Sequence, residues 1–362
     1  MTIECTDKQS VLVVDDTPEN IELLRQLLRA DYVVHAAVSG RKGLEIAHAS
    51  PQPDIILLDV MMPDMDGYEV CRRLKSDSAT AHIPVVFITA LDQTGDEANG
   101  LALGAVDYIR KPFEPVVVKA RVRNHLALKR YERGLEALVQ ARTAELTLTQ
   151  QVTIEALATL AEYRDSETGG HIKRTQRYVR VLAEYLSQLD GYRTFLDEET
   201  IDLLYRCAPL HDIGKVAVRD VILLKPGALT PAEFEEMKQH VLYGSKALEV
   251  AEERLGTSSF LGLARELILS HHERWDGTGY PRGLQGEQIP LPGRLMAVAD
   301  VYDALISRRV YKPAFTHDRA AEIIRDGRGR HFDPAIVDAF LAVEDAFKRI
   351  ANEFSDDTSN PD

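Results

Sequence analysis

Short apolar runs that end in acidic or hydroxyl residues recur along the first third of the chain, and they constrain its fold most. Val11-Leu-Val-Val14 runs into Asp15-Asp16, Ile55-Ile-Leu-Leu58 into Asp59, and Val85-Val-Phe-Ile88 into Thr89. Weaker stretches lie at Val33-Val34 and at 106–109. Runs this short, apolar at every position and separated by helical patterns, fit strands buried on both faces. Between the first two, Pro18 opens a helical pattern with Ile21, Leu24, Leu27 and Leu28 on one face. The alternation predicts an α/β doubly wound parallel sheet with helices on both sides. Its working edge lies at the carboxyl ends of the strands.

Three carboxylates, Asp15, Asp16 and Asp59, fall at that edge. Gathered carboxylates repel one another unless a hard cation sits among them, and Mg²⁺ accepts such oxygens. One carboxylate can then attack phosphorus. Thr89 and Lys111 end later strand patterns, where a hydroxyl and an ammonium can hold phosphoryl oxygens. Asp after a strand is also a common turn or cap residue, so the combination carries the signal. Val11-Leu-Val-Val-Asp-Asp16, Leu58-Asp-Val-Met-Met-Pro-Asp-Met-Asp-Gly67, Phe87-Ile-Thr-Ala90 and Asp107-Tyr-Ile-Arg-Lys-Pro-Phe113 resemble a response-regulator receiver domain of flavodoxin-like fold. The resemblance implies Asp59 as phosphoacceptor, with Asp15, Asp16 and Asp59 on Mg²⁺. It further implies Thr89 as switch hydroxyl, Lys111 as phosphate contact, Tyr108 as the switch aromatic and a sensor histidine kinase as partner.

Residues 122–161 contain no Pro and a single Gly, Gly134, which reads as one long helix. Leu128, Tyr131, Leu135 and Leu138 step by three and four, as in a heptad, and the pattern fades at Arg142 and Glu145. Pairing with a second copy in a coiled-coil homodimer and a plain helical spacer both fit. Beyond it the pattern is mostly helical, predicting an all-α domain, with Gly and Pro gathered near Lys225-Pro-Gly227 and between Asp276 and Gly293. The expected organisation is 1–121 receiver, 122–152 helical linker, 153–350 helical domain and 351–362 a polar, disordered tail.

Five of the eleven histidines, His171, His211, His240, His271 and His272, lie beside acidic or glycine-rich chemistry in the helical region. The tightest clusters are Glu167-x-x-x-His171, His211-Asp212-x-x-Lys215, His271-His272-Glu273 and Asp300-x-x-Asp303. Four residues apart on a helix, Glu167 and His171 share a face. Neighbours such as His211-Asp212 cannot, so they serve two adjacent metals or sit at a helix end. Imidazole and carboxylate without thiolate suit Fe, Mn, Zn or Co. His35, His48, His82, His125 and His317 read as ordinary core or surface groups.

His211-Asp-Ile-Gly-Lys215 resembles the HD superfamily of metal-dependent phosphohydrolases. His271-His-Glu-Arg-Trp-Asp-Gly-Thr-Gly-Tyr-Pro281 and Asp300-Val-Tyr-Asp-Ala-Leu305 narrow it to the HD-GYP subfamily, which hydrolyses cyclic di-GMP. The resemblance implies two or three divalent metals, Fe or Mn, on His211, Asp212, His240, His271, His272 and Asp300, with Asp212 bridging as the catalytic carboxylate. Glu167 and His171 match the positions that add a third metal. Lys215, Arg309 and Lys312 match the contacts to substrate phosphate. Gly279, Tyr280 and Pro281 form the loop that names the subfamily, which implies diguanylate cyclases of the GGDEF type as partners. The chain departs from the family at Arg309-Val-Tyr-Lys312, where Pro is usual at the second position. Both cations are kept.

A formal net charge of −14 argues against coating DNA or an anionic membrane. The scattered Cys5, Cys71 and Cys207 make neither a disulfide framework nor a thiolate zinc site. The first residues, Met-Thr-Ile-Glu-Cys-Thr-Asp, lack the charged and apolar regions of a signal peptide, and no apolar stretch is long enough to span a bilayer. The expectation is a cytoplasmic, phosphorylation-controlled cyclic di-GMP phosphodiesterase. The alternative is a catalytically weak module that binds cyclic di-GMP or a cyclase.

Overall fold

The computed structural model describes residues 8–90, 100–164, 170–255, 260–307 and 314–354. Contacts divide the chain into two units, Met1–Thr143 and Ala144–Asp362.

The first unit is built on five parallel strands, β1 (Ser10–Val14), β2 (Val33–Ala37), β3 (Ile55–Asp59), β4 (Val85–Thr89) and β5 (Asp107–Arg110), in the order β2-β1-β3-β4-β5. Alternate side chains of the central strands feed two cores. Leu12, Val14, Ile56 and Leu58 meet Val70 and Leu74 of α3 (Gly67–Ser76). Val11, Val13, Ile55 and Leu57 meet Ile21, Leu24 and Leu28 of α1 (Pro18–Leu28). Both faces are therefore covered, as uniformly apolar runs require. Helix α2 (Gly40–His48) starts where the Ser39 side chain caps the Lys42 amide. Val14 pairs with Leu58, which brings Asp15 level with Asp59 at the carboxyl edge.

Helix α4 (Pro115–Glu162) has 48 residues and begins earlier than the helix expected from Val122. The reason is packing: Val118, Val122 and Leu126 are buried with β1, β3 and Ile109. Leu128, Tyr131, Leu135 and Leu138 are exposed.

Among its described residues the second unit is built mainly of helices, with loops and two isolated β-bridges between them. It contains α5 (Gly170–Leu186), α6 (Glu198–Cys207), α7 (Asp220–Leu223), α8 (Pro231–Met237), α9 (His240–Leu255), α10 (Phe260–Ser270), α11 (Leu291–Ile306), α12 (His317–Asp326), α13 (Pro334–Ala342) and α14 (Glu344–Glu353). Its larger core is aromatic at the centre. Tyr178 stacks on Phe347 at 4.4 Å between ring centres, and Tyr302 meets both edge-on. A smaller core joins Ile154 to Cys207, Leu210, Val241 and Ile268. That core lies beneath the histidine-bearing turns described below.

One expectation fails here. Residues 351–353 are not a disordered tail but complete α14, because Phe347 and Ile350 bury their faces and Phe354 packs onto the same core. Residues 355–362 lie outside the described residues. Among those described, no helix is long and apolar enough to cross a membrane.

Candidate functional site

At the carboxyl edge of the sheet, oxygens of Asp15, Asp16 and Asp59 lie within 4.8 Å of one another. Asp15 and Asp59 are buried and Asp16 is exposed. The Lys111 ammonium stands 2.9 Å from both Asp15 Oδ2 and Asp59 Oδ2. Burial raises the Asp59 carboxyl; Lys111 opposes this and Asp15 adds to it. A buried carboxylate beside an ammonium that can follow incoming oxygens is an arrangement that could accept a phosphoryl group. Thr89 ends β4 buried at the same edge. The half-buried Tyr108 ring stands 5.3 Å from the Arg121 guanidinium and 5.9 Å from that of Arg110.

In the second unit the histidines converge on Asp212. Local turns aim them: His211 follows the 3-10 turn Ala208–Leu210, His240 opens α9 and His271 follows α10. Each Nδ1 lies on the carbonyl three residues back, His211 on Ala208 (2.9 Å), His240 on Met237 (2.8 Å) and His271 on Ile268 (2.8 Å). A carbonyl only accepts, so Nδ1 carries the hydrogen, and in the neutral ring the lone pair is then on Nε2. His171 reaches the same state through Asp303, whose Oδ2 accepts from Nδ1 at 2.8 Å.

Those lone pairs face each other and a carboxylate. His171 Nε2 is 3.4 Å from His211 Nε2. Asp212 Oδ2 is 3.2 Å from His211 Nε2, and Oδ1 is 3.1 Å from His240 Nε2 and 3.8 Å from His271 Nε2. Asp212 Oδ1, His240 Nε2 and His271 Nε2 are buried without a hydrogen-bond partner. Buried acceptors turned on acceptors are costly unless a cation lies among them. The donor set therefore fits metal ions. It divides into two groups, Asp212-His240-His271-His272 and His171-His211-Asp212, and Asp212 belongs to both. Asp300 Oδ1 stands 3.8 Å from His171 Nε2.

Without a cation the ring and carboxylate charges pull on each other: burial lowers His211, but the Asp212 charge outweighs it and raises that imidazole. Burial pushes the Asp212 carboxyl up, but Lys215, at 2.8 Å, His211 and His240 outweigh it and hold it well below the carboxylate range. Burial, then His271 and His240, drive His272 well below the usual imidazole value, as a neutral ligand requires. Gly279 lies so close to the chain that a Cβ there would meet Arg274 N at 2.3 Å. Buried Glu273 accepts from the amides of Arg282 (2.8 Å) and Leu284 (3.0 Å) and so fixes the loop. The loop lays Tyr280 against His272, ring centres 4.8 Å apart, with Pro281 following. Glu167, Arg309 and Lys312 lie outside the described residues.

The model of the response regulator receiver domain matches residues 11–123, and that of the HD domain matches residues 155–336. The chain belongs to the family of response regulators that carry an HD domain. It is 48% identical to a probable cyclic di-GMP phosphodiesterase of Vibrio cholerae, over 99% of this chain and 83% of that one. It is 38% identical to the cyclic di-GMP phosphodiesterase response regulator RpfG of Xanthomonas campestris, over 85% of this chain and 80% of that one. A cyclic di-GMP phosphodiesterase of Thermotoga maritima is 36% identical, over 97% and 95%.

Two residues of these sites escaped sequence reasoning. In the receiver, Asn20 Nδ2 donates to both Asp15 oxygens at 3.0 Å. In the HD domain, Glu162 lines a small cavity with His171, His211, Asp212 and Lys215, and its Oε1 accepts from the Ile172 amide at 3.2 Å. Each sits on a helix without a motif around it, so only the fold could reveal it.

Proposed function

We propose that the HD domain hydrolyses cyclic di-GMP in a metal-dependent reaction controlled by phosphorylation of Asp59. The observation that carries the chemistry is the gathering of four buried histidine Nε2 atoms, in two groups, around the shared Asp212 carboxylate. The substrate rests on the relatives named above. His211, Asp212, His240, His271, His272 and Asp300 would hold two divalent ions, Fe or Mn, with Asp212 bridging. Glu167 and His171 would add a third. Ions bound there supply a water of lowered pKa and neutralise phosphate charge.

The chain's own residues do the rest. Asp212 keeps its charge at neutral pH and fixes the distance between the two ligand groups. Lys215 brings its ammonium to the centre, where it stabilises a non-bridging phosphate oxygen as charge builds. Arg309 and Lys312 would take the remaining phosphate oxygens. Addition of water to phosphorus would break the bond to a ribose 3′ oxygen, which takes up the proton, and give linear pGpG; a second round would give GMP. In the receiver, Asp15 and Asp16 with Asp59 would hold Mg²⁺, and Thr89 and Lys111 would receive the phosphoryl oxygens from a sensor kinase. The receiver would span 1–121, the helical linker 122–152 and the phosphohydrolase domain 153–350, with α4 as the element through which the receiver acts.

The test is hydrolysis of cyclic di-GMP by protein loaded anaerobically with Fe²⁺ or Mn²⁺, with and without beryllofluoride, and with Asp212→Ala as the blank. Turnover that vanishes in the variant and changes with beryllofluoride is expected. Tight nucleotide binding at full metal occupancy without turnover refutes the enzyme reading and leaves a binding module.

A further inference from the structure

We propose that the carboxyl-terminal turn of the helical unit is a positioning element for the metal centre, acting through Arg174 and Asp303 on His171. This rests on the metal reading above. The relay is continuous. His171 Nδ1 donates to Asp303 Oδ2 at 2.8 Å. Arg174 grips the same carboxylate with two bonds, Nε to Oδ1 at 2.6 Å and Nη2 to Oδ2 at 3.0 Å. Nη2 also reaches Ser307 Oγ at 2.9 Å, and Nη1 donates to the main-chain carbonyl of Phe354 at 2.7 Å. Arg174 is 2% exposed and Asp303 1%.

Each link answers a need of the next. The last carbonyls of a helix have no intrahelical donor and carry partial negative charge. Phe354 follows α14, its own amide bonding back to Ile350 O, and Arg174 supplies the donor that its carbonyl lacks within the helix. In return the carbonyl fixes one arm of a guanidinium that is costly to bury unless every arm is engaged. A fork held at one end by Phe354 and at the other by Asp303 leaves the carboxylate a single orientation, which sets both the tautomer and the tilt of His171. Its Nε2 then points at His211 and Asp300. The turn is itself pinned: the Arg177 guanidinium lies 4.1 Å from the Phe354 ring centre, and Arg177 pairs with Glu353 at 2.8 Å. Arg174 and Arg177 sit one turn apart on α5, so one face of that helix clamps the end of the last helix.

The test compares two truncations one residue apart, both on the otherwise full chain. Removal of 355–362 leaves Phe354 with a terminal carboxylate, so an acceptor stays in place. Removal of 354–362 deletes it. Arg174→Lys is the second variant, since one ammonium cannot bridge Asp303 and Phe354 together. Arg180→Ala is the control for general loss of stability: it removes a guanidinium of the same helix that pairs instead with Asp202. Mn²⁺ binding is read by the electron spin resonance of the free ion, and metal per chain by elemental analysis. The metal-free melting temperature is measured alongside. Loss of the shorter truncation's acceptor, or of Arg174, is expected to weaken the His171-side ion about 10- to 100-fold. The chain ending at Phe354 and Arg180→Ala bind as the parent does. Parental affinity in both the 354–362 deletion and Arg174→Lys overturns the positioning role alone. A parent that binds no Mn²⁺ or Fe²⁺ at all overturns the metal reading with it.

Discussion

Replacing Gly214 by alanine separates a packing reading of the HD motif from a propensity reading. Gly214 lies in the 3-10 turn Ile213–Ala217, where a Cβ would stand 1.9 Å from His240 O and 2.5 Å from Gly244 N. A carbon rarely approaches a carbonyl oxygen closer than about 3.3 Å, so the turn and α9 must part by roughly 1.4 Å. The turn follows Asp212 and carries Lys215, while α9 opens with His240, and Asp212 Oδ1 lies 3.1 Å from His240 Nε2. The parting therefore falls directly across the ligand set. Misplacement by about 1 Å can cost on the order of 100-fold in rate, which at about 1.36 kcal/mol per decade is roughly 2.7 kcal/mol of barrier. Overpacking adds about 1–3 kcal/mol of lost stability. Were Gly214 only a glycine in a helical turn, alanine would instead stabilise by about 0.5–1 kcal/mol. The assay is cyclic di-GMP hydrolysis at saturating Mn²⁺, with metal content and melting temperature on the same sample. A variant that melts higher and turns over as the parent does refutes the reasoning.

Further outcomes follow from other contacts. Asp59→Asn abolishes labelling by acetyl phosphate, read as an 80 Da increment by intact mass (about one phosphoryl group); persistent labelling would move the acceptor elsewhere. Glu167→Ala lowers bound metal by about one ion per chain and leaves two, read by elemental analysis, and unchanged stoichiometry removes the third site. Lys129 is 7% exposed, and burial, then the Arg133 charge, push its ammonium down to about 8. The unfolded chain therefore holds its proton above that pH, and the folded state gains stability as pH rises from about 8 to the ordinary lysine range. Lys129→Met should raise the receiver's unfolding temperature at pH 7 and flatten the alkaline rise. Lower stability at pH 7 would mean that its bond to Asp54 O outweighs desolvation.

What could be read from sequence was whatever depends on period or on adjacency in the chain. The strand runs were visible because burial on both faces leaves no polar position, and Asp15, Asp59 and Thr89 stood out by ending them. His211-Asp212 was legible as a cluster, but not why neighbours can share a site: a 3-10 turn ends at Leu210, and both side chains then turn toward the same interior. The start of α4 was missed because Val118 and Val122 carry no boundary signal; only β1 and β3 beneath them explain their burial. The end of α14 was missed for the opposite reason. Phe354 stands before a polar run, and the guanidiniums that hold it come from Arg174 and Arg177, far away in the chain. Contacts between distant residues of ordinary type leave no local pattern.

The two ways of aiming an imidazole have unequal prospects under mutation. His211, His240 and His271 are oriented by main-chain carbonyls three residues back, which every amino acid supplies. Drift in the surrounding side chains leaves those three directions intact, so that part of the donor set is hard to lose by gradual change. His171 is oriented by side chains, Asp303 and behind it Arg174, and one substitution in either removes its aim. Of the four directions, that of His171 is therefore the one most open to change in descendants of this fold.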